Sequence, residues 1–151
     1  MDFFTIPVKK YKQLFWTTVA INAAAIITTW ILFKKGTYLL RGFDPGSRLT
    51  LPFLALVVLL AFVHGSFQRK QLNRLVAIED FESRVSAYER FYSFRMWWFV
   101  FSCASSCLLT LFTNRQLFIY YGAFDILMSL QFFPTLKRCR RELQNDDILL
   151  Y

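Results

Sequence analysis

Asp125 stands alone as a carboxylate inside FIYYGAFDILMSLQFFP, Phe118 to Pro134, a stretch of nearly unbroken hydrocarbon and aromatic ring. A lone acid in such a setting has two uses. It can bind a proton or a cation, or it can bond to neighbouring helices and fix their register. Asn22 and Ser105 fall at matching depths in two other apolar stretches, and Ser102 and Ser106 flank Ser105 in FSCASSC. Asp125, Asn22, Ser102, Ser105 and Ser106 therefore form a candidate polar cluster at one level. The simplest arrangement is a carboxyl group bonded to Asn22 and to serines of the third helix. Helical steps of three and four from Asp125 reach Tyr121, Gly122, Met128 and Ser129, which make an inward face.

Other reactive types are sparse. His64, the single histidine, lies near one end of the second apolar stretch and is a possible proton relay. Cys103 and Cys107 share a helical face, but with one histidine they are too few for a four-ligand zinc site, so no metal is expected. Cys139 reads as a free thiol beside the membrane, and no disulfide is expected. No GxSxG, HExxH or glycine-rich phosphate loop occurs, which argues against an enzyme: no catalytic residue and no cofactor is assigned.

The elements that must position these groups follow from charge spacing. Gln13–Phe33, Leu49–Gln68 and Met96–Asn114 carry no charge over 21, 20 and 19 residues, and Gln116–Leu136 carries only Asp125 over 21. At about 1.5 Å rise per residue each reaches roughly 30 Å, the depth of a bilayer core. The expected fold is all-α: an integral membrane, up-down four-helix transmembrane bundle in one domain, with spans at about 13–33, 49–68, 96–114 and 116–136. An amphipathic cytoplasmic linker helix is expected over about 69–95, with Asp80 as an N-cap and continuation into the third span. A central aspartate costs ~2.5–3.5 kcal/mol on insertion, while each Leu, Ile or Phe returns only about 0.3–0.6, so the fourth span inserts with a thin margin and favours a partner for Asp125.

Thirteen lysines and arginines lie on the side of both termini and the linker, against five on the other, so both termini are expected in the cytoplasm. The net charge of +8 matches anionic lipid at that face rather than nucleic acid. Arg95, Trp97, Trp98, Lys137 and Arg138 are expected as interfacial anchors. Phe3, Phe4 and Ile6 are expected in the headgroup region, as are Tyr38, Leu39, Leu40 and Phe43 of the first loop, and the terminal ILLY is expected to dock on a partner or the membrane. Pro52 is expected in the first turn of its helix, and Thr113 with Gln116 as a capping box. The first apolar run is too long for a signal-peptide core and no small-residue cleavage site follows it, so no cleaved leader is expected.

From the linker onward the chain resembles an uncharacterised family of small four-helix bacterial membrane proteins. The resemblance is carried by Tyr88, Arg95, Asn114, Pro134, Lys137, Arg138 and the tail RELQNDDILL. It departs at FSCASSC, where such proteins tend to have an acidic Glu-Gly-Pro stretch. The resemblance implies a bacterial inner membrane and no particular activity. Together these features lead to a non-enzymatic accessory or structural subunit of a larger membrane complex or homo-oligomer, its partners being the bilayer and other membrane subunits. The alternative is a small proton- or cation-coupled transporter or channel built on Asp125.

Overall fold

The computed structural model describes residues 4–6, 8–37, 46–144 and 148–150, with side chains at all of these except 4–6, 46–50, 53–54 and 148–150. The first interhelical loop, with Tyr38, Leu39, Leu40 and Phe43, lies outside the described residues, as does Phe3. The chain is helical. In order it forms β1 (Phe4–Ile6), α1 (Val8–Lys34), α2 (Gly46–Val76), α3 (Phe81–Thr113), α4 (Leu117–Leu130), α5 (Leu136–Leu143) and β2 (Ile148–Leu150).

α1, α3 and α4 form the packed body, and α2 leans on it chiefly through α3 and α5. Helix direction can be read from paired residues. Tyr11 meets Tyr88 and Asn22 meets Phe99, so α1 and α3 run parallel. Ser102 meets Asp125 and Tyr92 meets Phe132, so α4 runs against α3. His64 meets Trp98 and Phe67 meets Phe94, so α2 also runs against α3. Among the described residues, two helices are long and apolar enough to cross a membrane, α1 and α3. The apolar α4 has 14 residues, roughly 21 Å of helix.

Several expected boundaries shift, each for a local reason. The linker is two pieces, not one helix. α2 continues through Gln68 to Val76, and the chain then breaks before α3. Asp80 sets the restart: its extended backbone and a 2.8 Å bond accepted from the Ser83 N–H cap α3, and hydrogen bonds from Ser83 hold its carboxyl below the usual range. From there α3 runs unbroken for 33 residues into the apolar stretch. α2 begins at Gly46, so Pro52 sits inside the helix rather than in its first turn, and its ring removes one backbone bond there. The Thr113–Gln116 capping box does not form. Thr113 donates back to the Leu109 carbonyl at 2.6 Å, Asn114 closes α3 in the left-handed region (φ 52°), and Gln116 donates to Tyr120 instead. α4 stops at Leu130, not 136. Tight turns carry the chain through Gln131–Phe133, and Pro134 excludes helix at the residue before it. β1 and β2 pair in parallel, Phe4 opposite Ile148 and Ile6 opposite Leu150, so the end segments dock on each other.

The main core is aromatic and lies at the end of the bundle where α1 and α3 begin. Tyr11, Phe15, Tyr88, Tyr92 and Met96 are fully buried there. Tyr11 packs edge-on to Tyr88 and tilted against Tyr92, with ring centroids 5.9 and 5.2 Å apart, a geometry that suits the ring quadrupoles. α5 closes this end. Thr135 caps it by accepting from the Arg138 N–H at 3.2 Å, and Arg140 and Arg141 in its last turn complement the helix dipole. Its inward face is Cys139, Glu142 and Leu143, all buried. Glu142 accepts from Arg95 at 3.2 Å, from Arg138 Nε at 2.8 Å and from the Tyr88 hydroxyl at 2.8 Å. The Arg95 and Glu142 side chains are 3% and 5% exposed. Arg95 also lies over the rings of Phe91 and Phe132, 4.4 and 4.7 Å from their centroids. Arg95 is thus an inward tie between α3 and α5 rather than a surface anchor. Helical spacing hid this because its partner lies 47 residues away.

Removing one member of a buried ion pair strands the other, at a cost of ~3–5 kcal/mol. Glu142→Ala is therefore expected to destabilise the fold by about that much and to free α5, whereas Arg141→Ala, on an exposed position of the same helix, stays near wild type. Thermal unfolding in mild detergent, with limited proteolysis at 136–143, checks both.

Candidate functional site

α2 diverges from the α3–α4 pair and leaves a half-open cleft of about 430 Å³. Its walls are Val58, Ala61 and Gly65 from α2, Trp98, Phe101 and Ser105 from α3, and Tyr121, Phe124 and Met128 from α4. The cleft also receives Asp125, Ser102, His64 and Gln68. A mostly apolar hollow with a few convergent polar groups is the usual form of a ligand site. Asp125 is its single formal charge among the described residues.

Helix geometry puts the carboxylate there. α4 reaches Asp125 as the ninth of its 14 residues, and Gly122 and Ser129, three and four positions away, turn into the body and are buried. Tyr121 and Met128, on the other flank, border the cleft. Asp125 therefore sits on the boundary between body and hollow. Ser102 donates to its Oδ2 at 2.6 Å, at the short end of the range for a hydroxyl donor. No ion pair reaches Asp125 from the described residues.

The polar residues that share a depth in the sequence divide into two groups. Ser102 and Asp125 meet. Asn22 does not reach them: it is 1% exposed, and its amide donates to the Phe99 carbonyl at 3.4 Å, joining α1 to α3. The Cys103 thiol in turn contacts the Asn22 carbonyl at 3.8 Å. Ser105 lines the cleft but donates to its own helix, to Phe101 at 2.8 Å. Ser106 is buried, and its carbonyl accepts from Thr110 at 3.0 Å.

His64 stacks face to face on Trp98, ring centroids 4.2 Å apart and 5° from parallel, and bonds to Gln68 one turn along α2. It therefore stands in the same cleft as Asp125. Trp98 forms a wall of that cleft, while Trp97, its neighbour, faces outward at 58% exposure. Lys137 is exposed. Arg138 bonds to Glu142 and to the Gln131 carbonyl, and lies 4.5 Å over the Phe132 ring. Cys139 is fully buried, and that burial pushes its thiol up, so it is closed to modification in this fold. Sequence reasoning missed Gly65, Gln68 and Glu142. Gln68 lies one helical turn along from His64 and Gly65 directly follows it; the local signal for Glu142 was its i,i+4 spacing from Arg138, while its bond to Arg95 left none.

Side-chain bonds between helices in a low-dielectric setting average about 0.6 kcal/mol and reach about 1.7. A double-mutant cycle of Ser102→Ala with Asp125→Leu is expected to give a coupling within that range, and a cycle of Asn22→Ala with Asp125→Leu to give none. Unfolding in mixed micelles reads both.

No family model, no curated protein and no solved structure matches this chain.

Proposed function

We propose that the chain is a four-helix integral membrane protein that works as a non-enzymatic subunit, packed against another membrane protein or a second copy of itself. The observation that carries this is the outward display of apolar surface. The most apolar windows of α1 and α3 are only 22% and 39% buried, where the core helix of a water-soluble bundle would be mostly covered. α2 goes further: Leu51, Leu59 and Phe62 are 71%, 58% and 74% exposed, and bare apolar residues face several directions around it. Contiguous apolar surface on this scale needs lipid or protein to cover it.

Two further features support four crossings with both termini on one face. The helices alternate in direction, and the β1–β2 pairing brings the two ends of the described chain together. α4 is short for a full crossing, and a local thinning of the bilayer is the ordinary accommodation of such a helix. The excess of basic residues on the terminal side supports a cytoplasmic placement, and the resemblance of the second half to small bacterial membrane proteins supports an inner membrane.

One observation favours a second reading, a proton- or cation-coupled transporter. Asp125 and His64 share one cleft, and intramembrane acids are functional more often than not. The subunit reading remains the first because, among the described residues, the bonds from Asp125 and His64 end at Ser102 and Gln68 and lead to no further ionisable side chain.

Native mass analysis after gentle extraction is expected to show the chain with a partner or as an oligomer; a lone monomer overturns the subunit reading. For topology, single cysteines replacing Arg115 and Lys70 in a cysteine-free background are expected to react with an impermeant maleimide from opposite faces of sealed vesicles. Labelling of both from one face overturns the four crossings.

A further inference from the structure

We propose that the cleft between α2 and the α3–α4 pair binds an organic cation that partitions into the membrane, an ammonium on a compact apolar body, with Asp125 as its counter-ion. The proposal goes beyond the subunit reading and does not depend on transport. It uses the membrane reading for the route of entry, from the lipid past α2, and for the depth of the site.

Three observations converge. The first is charge. Among the described residues, Asp125 is the one formal charge in the cleft, it has no cationic partner, and no lysine or arginine lines the wall. An anion would meet only repulsion there, and beside a neutral guest the carboxylate has a proton as its sole compensation, which a cation displaces. The second is the nature of the walls. Trp98, Phe101, Tyr121 and Phe124 border the same hollow, and aromatic faces attract cations most strongly when both are desolvated. A soft ammonium loses less hydration energy on entering such a place than a bare metal ion does, and the carboxylate with one hydroxyl offers too few oxygens for hard-cation coordination. The third is size and access. About 430 Å³ lies within the roughly 300–1,000 Å³ of small-molecule pockets. Gly65 borders the cleft, and a Cβ built there meets nothing within 4 Å, so this part of the wall is open space. Ser102 holds one carboxylate oxygen from the α3 side and so orients the group toward a guest. The depth excludes a lipid headgroup as the source of the ammonium, since Asp125 lies in the middle of α4.

The test uses the full chain in phosphatidylcholine nanodiscs. Equilibrium dialysis with radiolabelled 4-phenylbutyltrimethylammonium is compared with its uncharged carbon isostere, and binding to empty nanodiscs is subtracted. Saturable binding of the cation, with the isostere at least about tenfold weaker, is expected. Asp125→Asn, which keeps an acceptor for Ser102, is expected to weaken cation binding by about tenfold or more and leave the isostere unchanged. Gly65→Phe fills open space without a backbone clash and is expected to weaken both guests. Equal binding of the two guests, or no saturable binding, overturns the proposal, as does an Asp125→Asn protein that keeps full affinity. If that variant does not elute as a folded species, Gly65→Phe decides: cation affinity unchanged there overturns the proposal. Native mass of the same nanodiscs reports the subunit question separately, so a failure of one reading is not a failure of the other.

Discussion

A carboxylate held between two arginines and a phenol governs the closed end of this molecule. Glu142 reaches Arg95 on α3 and Arg138 on its own helix, and Tyr88 supplies a third donor. The desolvation of these charges is offset only because each has a partner and because Phe91 and Phe132 present their ring faces to the guanidinium groups. The arrangement fixes where α5 lies. α5 in turn fixes the turn at Gln131–Pro134, whose carbonyls accept from Arg138 and Tyr92, and with it the height at which α4 ends. Asp125 meets Ser102 rather than another residue of α3 because that height is set.

The remainder of the molecule is held by weaker means. α1 and α3 share aromatic contacts at one end and an amide-to-carbonyl bond from Asn22 further along. α2 is attached through His64 on Trp98 and Phe67 on Phe94, a narrow aromatic seam, and at its far end through Leu75, which is buried in the main core. The contrast between a tight three-helix body and a leaning fourth helix creates the hollow beside Asp125. A uniformly packed bundle would have filled it with side chains.

Legibility in the sequence followed the range of the interactions. Charge-free lengths located the helices, and Asp80 announced the start of α3, because both signals are local. The polar residues Asp125, Asn22 and Ser105 were readable as a set, but their pairing was not. Ser102, three positions before Ser105 on α3, is the residue that bonds to Asp125, while Asn22 joins α1 to α3. Arg95 looked like a surface anchor because a basic residue at the edge of an apolar stretch usually is one. Its partner arrives from the far end of the chain, and no periodicity encodes that. The early stop of α4 was written in Pro134, whose effect on the residues before it outweighed the apolar run that continues past Leu130.

The parallel ladder between Phe4–Ile6 and Ile148–Leu150 joins segments 144 positions apart. Such a contact has nearly the largest sequence separation this chain allows, and its closure entropy falls due only once. During synthesis the first strand emerges with no mate and stays without one until the second strand has left the ribosome. The ladder is thus a late closure: all the helices between are made before it can form, and until then the first strand carries an open edge.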